Sequence, residues 1–208
     1  MKQTFVVGTG RCGTGSIAVA YHQAGVHAGH ETALHVIPQI CNAWVCGRYD
    51  LWQTASLLEQ IRFPTVEASY LLSELIGPLR LAFPDARFVW VSRNREDTVR
   101  SMVRKGWYDP ADDMLWPVGV EWWHRSETNG GAAKTVWPVQ AAQRTTPPLV
   151  GEGTWRVWRE VPQADRCRWW WDYCQELIGV SLAGSDFVEV DVDRDSHVDG
   201  LPIPHVRH

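Results

Sequence analysis

Short apolar, β-branched runs alternate along the chain with stretches whose apolar residues recur at helical spacing. Thr4-Phe5-Val6-Val7 reads as a buried strand stopped by Gly8. Residues 8–16 read as a turn, and 17–23 as a helix that Gly25 ends. A short extended piece is expected at 26–28. A helix follows over 51–61, from the spacing of Leu51, Leu57, Leu58 and Ile61, and a strand over 64–68. Residues 70–83 read as a helix disturbed by Gly77-Pro78. Arg87-Phe88-Val89-Trp90-Val91 is the clearest strand of all. Asn94 is placed to cap the next helix, with Glu96 and Asp97 in its first turn and Arg104 and Lys105 near its end, as the helix dipole favours. A helix over 163–177 and a strand over 186–192 complete the regular part. Strands alternating with helices predict an α/β fold. Its parallel sheet is centred on 4–7 and 87–92, with helices on both faces and ligands at the carboxyl ends of the strands.

Regularity fades between 109 and 162, where Pro, Gly, Thr and Trp dominate and Asn129-Gly130-Gly131 and Pro147-Pro148 break any pattern. This stretch is expected to be an insertion or lid within a single domain spanning 1–208. Tryptophan is the compositional outlier. Of 13 in the chain, ten lie from Trp107 to Trp171, where they serve as packing rings or as an aromatic binding surface.

Composition narrows the function classes. The chain has 208 residues and is 45% hydrophobic, enough for a full core, so general disorder is excluded. With 20 basic against 24 acidic residues, bulk charge does not drive binding to nucleic acid or to an anionic membrane. No apolar run reaches the length of a membrane span. MKQTFVVGTG enters a strand and a glycine loop directly, so no signal peptide is expected. The five cysteines form no Cys-x-x-Cys pair, and a reduced, cytoplasmic compartment is expected.

Strand, then Gly8-Thr9-Gly10-Arg11-Cys12-Gly13-Thr14-Gly15-Ser16, then helix is an arrangement that cradles phosphate on backbone N–H groups and a helix N-terminus. Gly8-x-Gly10-x-x-Gly13 matches a dinucleotide fingerprint, but no acidic residue ends a following strand in the βαβ context, although Glu31 is near the right distance. Gly10-x-x-x-x-Gly15 matches a triphosphate loop without its Lys-Ser/Thr pair; the cation, Arg11, comes early.

An early cation followed by a small residue, Gly and Thr resembles the 5′-phosphosulfate loop of sulfotransferases that use 3′-phosphoadenosine 5′-phosphosulfate. A second motif agrees. That family's 3′-phosphate site is a strand ending in Arg with a Ser eight positions later on the next helix, and here Arg93 and Ser101 have that spacing. Gly29-His30-Glu31-Thr32 with Val36-Ile37-Pro38 is similar to the Gly-Glu-Glu-Thr…Val-Ile-Pro segment of tyrosylprotein sulfotransferases. Residues 83–88 through Gly106-Trp107-Tyr108, and Arg166-Cys167 with Trp169-Trp170-Trp171, resemble bacterial members. The likeness covers 1–45, 64–108 and, more loosely, 163–193. The Gly-x-x-Gly-x-Trp-Lys covering motif of cytosolic sulfotransferases is missing, which leaves the adenine contacts open.

The resemblance implies a sulfuryl transfer from that donor to a hydroxyl acceptor (small molecule, carbohydrate, lipid or tyrosine) without a metal. Gly10, Arg11, Cys12, Gly13, Thr14, Gly15 and Ser16 would hold the phosphosulfate, and Arg93 and Ser101 the 3′-phosphate. Glu31 aligns with the family's catalytic base. His30 is the adjacent alternative, since imidazole titrates in the useful range. Glu67 and Ser69, ending a strand at the same sheet edge, would meet the acceptor or take a salt-bridged or capping role. Two other readings compete. One is a P-loop kinase of a nucleotide or small molecule, which wants a loop Lys and a strand-terminal carboxylate for magnesium. The other is a non-catalytic nucleotide- or glycan-binding module using the Trp-rich segment.

Overall fold

The computed structural model describes residues 2–45, 47–108 and 160–204. The expected lid over 109–162 falls almost wholly outside the described residues. Five strands, β1 (Thr4–Gly8), β2 (Ala28–His30), β3 (Val66–Ala68), β4 (Arg87–Ser92) and β5 (Phe187–Asp191), form one sheet in the order β2-β3-β1-β4-β5. Every pairing in it is parallel. Helices α1 (Thr14–Gln23), α2 (Ile37–Val45), α3 (Leu51–Glu59), α4 (Ile76–Ala82), α5 (Arg95–Arg104) and α6 (Gln163–Leu182) complete the α/β architecture. A short antiparallel hairpin, β6 (His197–Val198) and β7 (Leu201–Pro202), follows β5. No helix among the described residues is long and apolar enough to cross a membrane.

The chain divides into two compact units, Met1–Thr98 with Trp171–His208, and Val99–Trp170. In the first, β1 is buried along its whole length, as a central parallel strand covered on both faces must be. Alternation sorts its side chains. Val6, Val66, Val89 and Val190 join Ile17 and Tyr21 of α1 in one core cluster. On β1 the neighbouring Phe5 packs instead with Phe63, Phe83 and Phe88, at ring separations of 5.3–5.9 Å. In the second unit, Arg166 donates to the Tyr108 carbonyl at 2.8 Å and stacks on its ring at 5.7 Å. Burial there pushes the Cys167 thiol up to about 12.

Several boundaries differ from the sequence reading for local reasons. Helix α1 begins at Thr14, because Gly13 at φ 108 turns the chain into it three residues early. The piece expected at 26–28 is strand at Ala28–His30, where it meets β3. Tyr70–Leu75 is a 3₁₀ segment before α4, and Pro78 sits in the first turn of α4, where its missing N–H costs nothing. Helix α2 was not expected. Asn94 does cap α5: its Oδ1 accepts from the N–H groups of Glu96 at 3.0 Å and Asp97 at 3.2 Å.

Candidate functional site

The loop after β1 is held at its root and strained at its crest. Ser73 Oγ accepts from the Gly8 N–H at 3.0 Å and donates to the Gly8 carbonyl at 2.9 Å, fastening the end of the strand. A Cβ on Gly8 would stand 2.6 Å from Cys12 Sγ and 2.7 Å from the Val91 carbonyl, so only glycine fits. Gly10, Arg11 and Gly13 all take left-handed backbone, at φ 77, 56 and 108. For Arg11, which has a Cβ, that conformation costs about 1–2 kcal/mol. Gly13 caps α1 without a side-chain hydrogen bond to its first N–H groups. Cys12 turns inward. It is fully buried, which raises its thiol pKa, against opposing hydrogen bonds from the Thr9 side chain and from loop backbone groups including Gly10 and Thr14. It is thus an internal filler of the loop rather than an exposed nucleophile.

The end of β2 faces this loop. His30 Nε2 lies 3.4 Å from Thr14 Oγ1, and its ring is 3.6 Å from where a Gly15 side chain would begin. Desolvation, then the positive charge of Arg11, holds the imidazole below its ordinary value of 6.5. It is therefore neutral near pH 7 and able to accept a proton. Glu31 Oε1 stands 3.9 Å from His30 Nε2, and Glu31 too takes left-handed backbone, at φ 57. Its N–H donates to the Ala68 carbonyl at 2.9 Å, which ties the strained residue to the end of β3. Among the described residues four non-glycine positions have positive φ, and two of them are Arg11 and Glu31.

Glu67 and Ser69 serve the backbone. The buried Glu67 accepts from the Thr32 N–H at 2.9 Å and from Thr32 Oγ1 at 2.5 Å, fixing the turn that carries Glu31. Burial raises its pKa, opposed by those Thr32 bonds. Ser69 Oγ accepts from the Leu71 N–H at 3.2 Å and caps the 3₁₀ segment. Beside β2 lies a cavity of about 680 Å³, whose lining includes Gly29 and Thr32, the residues on either side of His30-Glu31, together with Val36, Tyr49 and Arg62.

Arg93 directly follows β4, which pairs with β1 in a register that sets Gly8 against Val91. The turns bearing Arg11 and Arg93 therefore leave the same carboxyl edge on adjacent strands. Arg93 Nε lies 3.4 Å from Asp193 Oδ1, and Asp193 Oδ2 accepts from the Asn94 N–H at 2.8 Å. Ser101 is buried on α5 and belongs to the second unit. Sequence reasoning passed over Ser73, Thr32 and Asp193. Thr32 stood in the Gly29-His30-Glu31-Thr32 segment without a role of its own, and Asp193 lies in the acidic run Asp191-Val192-Asp193-Arg194-Asp195. Among the described residues, no group of three or more His, Cys, Asp or Glu side chains is arranged to hold a metal ion. Compared with family models, with curated proteins and with solved structures, the chain has no match.

Proposed function

We propose that this protein is a sulfotransferase, moving a sulfuryl group from 3′-phosphoadenosine 5′-phosphosulfate to a hydroxyl acceptor. One observation carries the reading: two turns, each with an arginine, leave adjacent parallel strands at one edge of the sheet, and the first opens a helix through a glycine loop. Two such turns can hold two separated anions of one nucleotide.

In this scheme the loop N–H groups, the α1 N-terminus and Arg11 stabilise the departing phosphate as the sulfur–oxygen bond breaks. The acceptor oxygen attacks in line and forms the new sulfate ester. Its proton passes to the Glu31–His30 pair, with Glu31 as base and the neutral imidazole against the loop as its neighbour. The acceptor occupies the cavity beside Gly29 and Thr32, whose size suits a small molecule or a side chain. The kinase reading is weakened by Glu67, the strand-terminal carboxylate it needs for magnesium, because both its oxygens are committed to Thr32. The Trp-rich segment behind the glycan-module reading lies mostly outside the described residues.

Incubation with the donor and a library of phenols, sugars and lipid alcohols tests the proposal. The expected result is 3′-phosphoadenosine 5′-phosphate matched by a product heavier by one sulfuryl group, formed with chelator present. Transfer of phosphate from ATP instead would replace this reading with the kinase.

A further inference from the structure

Asp193 stands where an anion at Arg93 would stand. One carboxylate oxygen is 3.4 Å from the guanidinium Nε and the other accepts from the Asn94 N–H, at the N-terminus of α5. A guanidinium and a backbone N–H at a helix start are the groups a phosphate oxygen would use. The contact is loose all the same. Arg93 Nε is buried yet makes no hydrogen bond, and the Asp193 side chain is 37% exposed. The other acids of this turn are engaged differently: Asp191 pairs with Arg194 at 2.6 Å, and Asp195 accepts from the Asp191 N–H at 2.7 Å. The Asp193 N–H donates to Asp191 Oδ1 at 3.0 Å, which aims its own carboxylate at Arg93.

We infer that Asp193 is a built-in counter-ion for Arg93, which the 3′-phosphate of the nucleotide displaces on binding. It offsets the charge of Arg93 in the free protein. In the complex its negative charge repels the incoming phosphate, so it lowers affinity and speeds release of the bisphosphate product. This rests on the donor reading given above. It adds a residue that sets how tightly the donor is held.

Calorimetric titration with 3′-phosphoadenosine 5′-phosphate and with adenosine 5′-monophosphate, on wild type and Asp193→Asn, tests it. Asparagine keeps an acceptor for the Asn94 N–H and removes only the charge; Asp193→Ser with a thermal midpoint guards against misfolding. At a separation of a few ångströms in water-like surroundings, removing that charge should tighten the bisphosphate about three- to thirtyfold and leave the monophosphate unchanged. If wild type prefers the bisphosphate but Asp193→Asn binds it no better or more weakly, Asp193 is a structural brace, and the counter-ion role is overturned while the donor reading stands. If wild type and variant bind both nucleotides alike, the donor reading fails and takes the inference with it.

Discussion

Strand β4 begins at one arginine and is followed by another, and the two are held in opposite ways. Arg87, at the amino end, grips Asp199 with both terminal nitrogens, one of them at 2.7 Å, and Tyr21 donates to the same carboxylate at 2.5 Å. Arg93, at the carboxyl end, meets Asp193 through Nε alone at 3.4 Å and without a hydrogen bond. The first contact ties the β6–β7 hairpin to α1 and to the sheet. The second ties down little. A bidentate charged pair with a third donor is a brace, whereas a single long contact is one that a better anion can replace. Backbone strain does not follow this division: Arg11 and Glu31 hold left-handed conformations at the carboxyl edge, and Asp199 holds one, at φ 51, in the brace.

If the division is sound, damage at the carboxyl edge should cost function and damage at the amino end should cost stability. The largest effect is expected from Glu31→Gln. It should lower kcat by about two to four decades while donor affinity stays within about threefold, as steady-state kinetics with donor titration would show. Near-normal turnover would transfer the base role to His30. The smaller effect comes from Asp199→Asn, which should cost about 1–2 kcal/mol in denaturant unfolding and leave nucleotide binding alone. Burial by itself would raise the Asp199 pKa, but Arg87 and Tyr21 outweigh it, and the net shift is downward from 3.8. The folded state thus binds protons less readily than the unfolded one. The stabilisation is complete above the ordinary carboxylate value and is lost as pH falls through the lowered one. Asp199→Asn should flatten that acid limb, and an unchanged limb would mean that the brace lies elsewhere.

What was legible in the sequence was what local pattern controls. The run Arg87-Phe88-Val89-Trp90-Val91 announced β4, and the oxygen-bearing Asn94 ahead of Glu96 and Asp97 announced the start of α5. The glycine loop was legible as a turn between strand and helix, but its strain was not, since Arg11 and Glu31 give no sign of left-handed backbone. Helix α2 went unassigned because the residue before a proline is biased away from helix, although Pro38 stands in the first turn of α2, where proline is well tolerated. The braces were invisible for a simpler reason. Arg87 and Asp199 are 112 positions apart, and Gly8 and Ser73 are 65 apart, so no window on the chain contains both partners. Sequence alone allows Glu67 an acceptor-facing, a salt-bridged or a capping role, and the structure places both its oxygens on Thr32.

The central claim is that the carboxyl edge holds a nucleotide by a 3′-phosphate at Arg93. It is tested most directly by titrating wild type and Arg93→Ala with 3′-phosphoadenosine 5′-phosphate and adenosine 5′-monophosphate, without metal. The wild type should prefer the bisphosphate, and Arg93→Ala should lose about ten- to hundredfold of that affinity while binding the monophosphate as before. Equal affinity of wild type and Arg93→Ala for the bisphosphate would contradict the account.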